Sequence, residues 1–542
     1  MSFSQEKINP VTCIISASLC ILFVLAFAPF SLSASPYEET IAEGRAAAEE
    51  AMAGCSASSI SLALVDEDQV VWTETFGLAD RETGLPPTPD TMYGIGSTSK
   101  IVAALAVMRL VDQKRVALDA PLTRYLPSFT MASPKYRRVT VRHLLNHSSG
   151  FPGGDYRNSE TASPSTGYSA QVLATLAGAR LKHAPGFMNV YCNDGFTVIE
   201  ELVSAVTGMS FARFVEDEVF APLGMAHSRY PIDYFPFDTF AQRYSGTTRA
   251  PQLFLHAFAS GGLFSTPTDM AKIAIMLIGK GKIGETRFLS RKAVAAMGVD
   301  QTADRFNPAK SYAYSYGLGL DSVLQPGLRA VRVKGWHKGG DVTLYGSAIL
   351  VAPRERLAAV VMGASGSFDS KRATIIAERI LLRALAEKGR IPAMPAPLNP
   401  QILPERTPSP GLVASVKGYY GLNSGLLHID ESNNSLNISV WNTSEGKWAD
   451  WKTGLRLRKD GRFASDADPG TAFSFKTAQR RRYLVMRSVG GYGHYQDDSV
   501  FAEQIAAPED LPSPWKNRLA KKWLLANEHP EGPLWAAPLL RL

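Results

Sequence analysis

Cysteine is scarce in this chain, with four among 542 residues. Cys13 and Cys20 fall in an apolar N-terminal run, so only Cys55 and Cys192 remain for the rest, which excludes a disulfide-stapled scaffold. The two are expected to stay separate thiols. Neither Cys13 nor Cys20 follows the small residue of a lipidated bacterial signal, so a lipoprotein is not expected. A large excess of one charge is also lacking. The formal net charge of +7 is modest for this length and is spread along the chain. Its densest cluster, Arg480-Arg481-Arg482, reads as a solvated strand end, and no nucleic-acid partner is implied.

What is present is the composition of a globular protein, 45% hydrophobic and 20% charged, in a chain long enough for more than one domain. Residues 11–30 form a long apolar run preceded by Lys7 and followed by Ser31, Ser33, Ala34 and Ser35. Residues 1–35 therefore read as a secretory signal peptide or an uncleaved N-terminal membrane anchor. Either makes the protein exported: periplasmic, secreted, or held at the inner membrane through residues 11–30.

The chain is organised around Tyr93-Gly94-Ile95-Gly96-Ser97-Thr98-Ser99-Lys100 and the apolar run that follows. Two glycines allow a tight turn into a helix whose first turn carries Ser97, with Lys100 three residues on and on the same face. A serine hydroxyl needs a neighbour to take its proton, and a buried lysine at the positive end of a helix is disfavoured in its charged form. Ser-x-x-Lys recurs at Ser4, Ser444 and Ser513, but none of these opens a long apolar helix. The same spacing also suits an ordinary helix cap.

Two further stretches carry chemistry. A Pro185-Gly186 turn delivers Tyr191-Cys192-Asn193, whose alternation points Tyr191 and Asn193 the same way. Tyr191 would be a base only if a cation such as Lys100 lowered its pKa. Tyr156-Arg157-Asn158 is a weaker match in a polar loop. His147, at the end of a short helix, is expected to bond a loop beside the cleft rather than to react. Finally, Gly335-Trp336-His337-Lys338-Gly339-Gly340 precedes two strands at 347–352 and 357–363. Its glycines would let a substrate carbonyl reach the backbone, with the N–H groups of Ser97 and Gly340 as an oxyanion hole.

In this order the three stretches resemble the serine β-lactamase and penicillin-binding protein superfamily, in particular its class C branch, which also holds DD-carboxypeptidases, D-aminopeptidases and esterases. The resemblance covers roughly residues 38–388. It implies an α+β fold, an antiparallel sheet with a helical lobe, in which Ser97 is the acylated nucleophile. Lys100 and Tyr191 would share the acid/base role, and Asn193 would lie in the substrate groove. His337-Lys338-Gly339 looks like the His-x-Gly variant of esterases and D-aminopeptidases, which favours His337 and Gly339 as substrate-binding residues. The alternative register, Lys338-Gly339-Gly340, cannot coexist with it, because adjacent strand residues face opposite sides. A literal Lys452-Thr453-Gly454 lies beyond a domain boundary and reads as chance.

The hydrolase domain is expected over residues 36–390, and recurring prolines make 391–410 an extended linker. Residues 411–506 alternate apolar and polar between turn signals, predicting a small antiparallel, lipocalin-like β domain. In the tail, 507–542, Trp515, Leu519 and Trp523 share one helical face that suits docking on the protein itself. The expected function is that of an exported serine hydrolase acting through an acyl-enzyme on a short D-amino-acid peptide, an ester or a β-lactam. The alternatives are a penicillin-recognising binding protein with slow turnover and a silent scaffold. No metal or organic cofactor is implied, and the partner is a small-molecule or short-peptide substrate.

Overall fold

The computed structural model describes residues 37–422, 425–443 and 445–507. The expected signal or anchor at 1–35 and the helix around Trp515 lie outside the described residues. Among those described, no helix is long and apolar enough to cross a membrane.

The chain enters with α1 (Glu38–Cys55), then the hairpin β1 (Ser59–Asp66) and β2 (Gln69–Gly77). The central helix α2 (Ser99–Asp112) follows, then α3 (Asn193–Thr207) and α4 (Pro267–Ile278). Three strands, β3 (Trp336–Val342), β4 (Tyr345–Ala352) and β5 (Leu357–Ala364), lead into α5 (Ser370–Glu387). The five strands form one sheet in the order β3-β4-β5-β1-β2, antiparallel throughout.

The middle strands are buried on both faces, which is why they read as continuous rather than alternating apolar runs. Leu62, Leu64, Leu350 and Val361 pack against the side that carries α1 and α5. Ala63, Val65, Ile349 and Val360 face the helical lobe, where α2 lies with every residue from Ser99 to Met108 buried. A helix buried all round can be apolar all round, and it holds its first turn rigidly. The edge strand β3 is left open along one side, beside that first turn.

Residues 418–505 close an eight-stranded antiparallel barrel with its own apolar core, so the lipocalin-like expectation matches in strand number and closure. The proline-rich segment before it is pinned rather than free. Leu398 N–H donates to the Gly493 carbonyl at 2.8 Å, and Tyr492 Oη donates to that of Pro395 at 2.6 Å. Cys55 and Cys192 are both buried free thiols.

Among the described residues, polar contacts dock the barrel on the preceding α+β domain at two places. Asp497 accepts from Ser311 Oγ at 2.7 Å and from the N–H groups of Tyr312 and Ala313. Glu378 on α5 and His494 of the barrel are both fully buried, with Glu378 Oε1 3.5 Å from His494 Nδ1. Burial pushes the Glu378 carboxyl up to about 8 and lowers His494, so the contact is between neutral groups. A carboxyl raised in the fold supports stability fully below its ordinary value of 4.5 and loses that support as pH climbs through about 8. The full chain is therefore expected to unfold at a lower temperature at about pH 9 than at about pH 6, and Glu378→Gln to shrink that difference. Calorimetry of both proteins checks this, and an undiminished pH dependence in the variant would remove Glu378 as its source.

Candidate active site

The Ser97 turn and the open edge of β3 touch backbone to backbone. Gly96 sits at φ +51°, and a Cβ there would lie 2.5 Å from the Asp341 carbonyl oxygen. A Cβ on Gly340 would lie 2.0 Å from the Ile95 carbonyl oxygen. Only glycine fits at these two positions, one on each side of the contact. Within the buried stretch from Thr91 to Lys100, Ser97 alone is half-exposed, so its hydroxyl opens on the cleft.

Lys100 is fully buried beneath it. Its Nζ lies 2.8 Å from Asn193 Oδ1, 2.5 Å from the Ser260 carbonyl oxygen and 3.0 Å from Ser97 Oγ. Burial first, and then the positive charge of Lys338, hold its pKa well below the usual lysine value. A neutral amine has two hydrogens and one lone pair. Asn193 and Ser260 present acceptors for the hydrogens, which leaves the lone pair for the Ser97 hydroxyl.

Tyr191 lies in the same cluster, its Oη 3.4 Å from Lys338 Nζ and its ring 5.0 Å from Lys100 Nζ. The sequence led to a phenol of lowered pKa, whereas burial, reinforced by Asp321, raises Tyr191 well above its ordinary value. Lys100 cannot lower it while itself neutral. Tyr191 is thus a protonated phenol. His147 stacks on its ring at 4.3 Å and accepts the Cys192 N–H on Nδ1 at 3.0 Å, the loop-holding role expected of it. Asn193 opens α3 and reaches Lys100 from there, while its Nδ2 donates to Tyr156 Oη at 3.1 Å. The weaker tyrosine match thus lies beside the stronger one.

The expectation for the third stretch is corrected. His337 does not face the cleft: its Nε2 lies 2.9 Å from Thr374 Oγ1 on α5, and a Cβ on Gly339 would meet Ser370 on the same helix. Lys338 and Gly340 occupy the opposite face, which is the one that meets the Ser97 turn. Lys338 Nζ lies 3.4 Å from Tyr191 Oη and 2.9 Å from Asp321 Oδ2. Burial alone would raise the Asp321 carboxyl, but Lys338 outweighs it and the group stays a carboxylate.

The oxyanion donor expected from Gly340 is corrected as well. The N–H and C=O of His337 bond Ser322, away from β4, so alternation turns those of Gly339 and Asp341 the same way. Gly340 turns its N–H inward to β4. Asp341 therefore presents the open N–H, next to the Ser97 turn, with its carboxylate held by Ser370 N–H at 2.6 Å. Asp321 and the Ser260 carbonyl escaped the sequence reading. The only signal for Asp321 was a lone acid after Gly319-Leu320. Lys452 of the chance Lys-Thr-Gly pairs with Asp468 in the barrel.

A family model described as Beta-lactamase matches residues 45–382, which span the sheet, α2 and every residue of this cluster. The chain belongs to the β-lactamase family. Among relatives of this family member, the human beta-lactamase-like 1 is 29% identical over 326 residues, covering 58% of this chain and 62% of that one. Esterase EstB of Burkholderia gladioli is 36% identical over 169 residues, covering 29% of this chain and 43% of that one. The matches thus span less than two thirds of these relatives' lengths. A crystal structure of SurE with D-Leu shares the fold at a TM-score of 0.60 and 20% identity, covering 85% of this chain and 99% of that one.

Removing one member of a buried ion pair strands the other. Lys338→Met is expected to cost about 3–5 kcal/mol in urea unfolding, and adding Asp321→Asn should restore most of the loss. A double variant no more stable than the single one would show that charge pairing is not what holds these groups.

Proposed function

We propose that this β-lactamase-family protein is an exported serine hydrolase that cleaves carboxylic esters through an acyl-enzyme on Ser97. The observation that carries this reading is the buried Lys100 amine, 3.0 Å from Ser97 Oγ with acceptors for both of its hydrogens. Its lone pair takes the Ser97 proton as Oγ attacks the substrate carbonyl carbon. The N–H groups of Ser97 and Asp341 stabilise the resulting oxyanion. As the tetrahedral intermediate collapses, the Tyr191 phenol gives its proton to the departing alcohol. Water then enters, gives a proton to the Tyr191 phenolate as it attacks the acyl carbonyl, and releases the acid while the Lys100 ammonium returns its proton to Ser97.

The substrate class rests on Lys338. In the lactamases of this branch the corresponding lysine meets a substrate carboxylate, but here Asp321 already neutralises it at 2.9 Å. A ligand carboxylate would have to compete with a buried partner, which disfavours β-lactams and peptide C-termini and favours uncharged esters. The Burkholderia gladioli relative, named an esterase, supports the same class. Export rests on the apolar run at 11–30 alone.

Intact-mass measurement after fluorophosphonate treatment is expected to show one adduct on the parent and none on Ser97→Ala. Turnover of p-nitrophenyl acetate should exceed that of a chromogenic cephalosporin. A long-lived penicillin adduct would instead favour a penicillin-binding protein, and no labelling at all a silent scaffold. Lys100→Met should lower kcat/KM for the ester by about 10²–10⁴-fold. Because the neutral amine is the active form, the rate should rise with pH through the depressed Lys100 value and level off well below the ordinary lysine range. A rate that climbs only near the ordinary lysine range would show Lys100 charged at rest and rule it out as the base.

A further inference from the structure

Between the barrel and the hydrolase domain lies a cavity of about 400 Å³. Met188, Phe306 and Tyr316 line it from the hydrolase, and Leu422, Val500 and Phe501 from the barrel. Its volume is that of a small-molecule site, and its walls have the apolar and aromatic make-up typical of one. No lysine or arginine is among its described lining residues. Its one acid, Glu503, is paired with Arg481 at 2.9 Å.

The cavity adjoins the reacting groups. Asn189 and Val190 line it and lead directly into Tyr191. Tyr316 packs at 4.9 Å on His147, which also stacks on the Tyr191 ring at 4.3 Å. The segment carrying Tyr314 and Tyr316 is itself held by the barrel, through the three hydrogen bonds to Asp497. Val500 remains 42% exposed although its neighbours along the strand are half-buried or buried, an apolar side chain presented to the cavity with nothing covering it.

We infer that this cavity takes the apolar acyl or alkyl group of the ester, so that the barrel supplies one wall of the substrate site. The inference rests on the esterase reading for its substrate class. It makes the second domain a selector of chain length, favouring medium-length or aryl groups over acetyl and methyl.

Val500→Trp fills the cavity and Val500→Asp charges it, both at an exposed position where the fold tolerates change. Two ester series separate the sides: p-nitrophenyl acetate against octanoate varies the acyl group, and methyl against octyl acetate varies the alcohol. In one series the long-to-short ratio of kcat/KM should fall at least about tenfold in both variants, a loss on the scale of a changed apolar contact, and that series identifies the side. Binding independent of turnover is read with 1-octanol, which should raise the melting temperature of Ser97→Ala but not of Ser97→Ala/Val500→Trp. Unchanged ratios in both series together with an unchanged 1-octanol shift would overturn the cavity's role even if esters are hydrolysed. An octanol shift that vanishes with Val500→Trp in a protein that hydrolyses no ester would uphold the cavity and overturn the esterase reading.

Discussion

An amine buried without a counter-ion must give up its charge, and the geometry around Ser97 depends on that requirement. Lys100 sits at the root of a helix with no exposed turn until past Met108. Its nearest polar contacts are a carbonyl, an amide oxygen and a hydroxyl. None of these is an acid. The carboxylate that would have charged Lys100 is Asp321, and it is taken by Lys338. Two lysines close to one tyrosine ring, at 5.0 and 5.4 Å from its centroid, thus differ in environment: Lys338 has a carboxylate partner, and Lys100, without one, is held well below the usual lysine value.

This division of labour also explains the tyrosine. A phenol among a neutral amine and a compensated ion pair meets no net positive field, so burial dominates and keeps its proton on. Burial likewise holds the His147 ring stacked on it well below the ordinary histidine value. In the proposed reaction the base is therefore already deprotonated and the acid already protonated. Such pre-organisation needs no pH-driven rearrangement before the first proton transfer.

The second domain is bound into this arrangement rather than appended to it. Asp497 holds the segment that carries Tyr314 and Tyr316 beside His147, and the neutral Glu378–His494 contact buries the seam further along α5. Both contacts tie the barrel to the domain that carries the Ser97 cluster.

The buried Ser97 helix and the barrel were legible from residue order alone, because burial periodicity and turn residues are local properties of a chain. So were Ser97, Lys100, Tyr191 and Asn193, each announced by a short motif beside a strong structural signal. Which of His337 and Lys338 enters the cleft was not, since a strand's pattern defines two faces but not which of them meets the helix. That choice came from the packing of Gly340 on Ile95, a contact between segments far apart in the chain. The same packing turns the Asp341 N–H rather than that of Gly340 to the open edge, and burial, with Asp321 nearby, removes the condition under which Tyr191 would be a base. Local pattern determined the elements and the reactive pair by itself. Tertiary contact alone decided which strand face they meet and which groups carry charge, because both depend on what is buried against what.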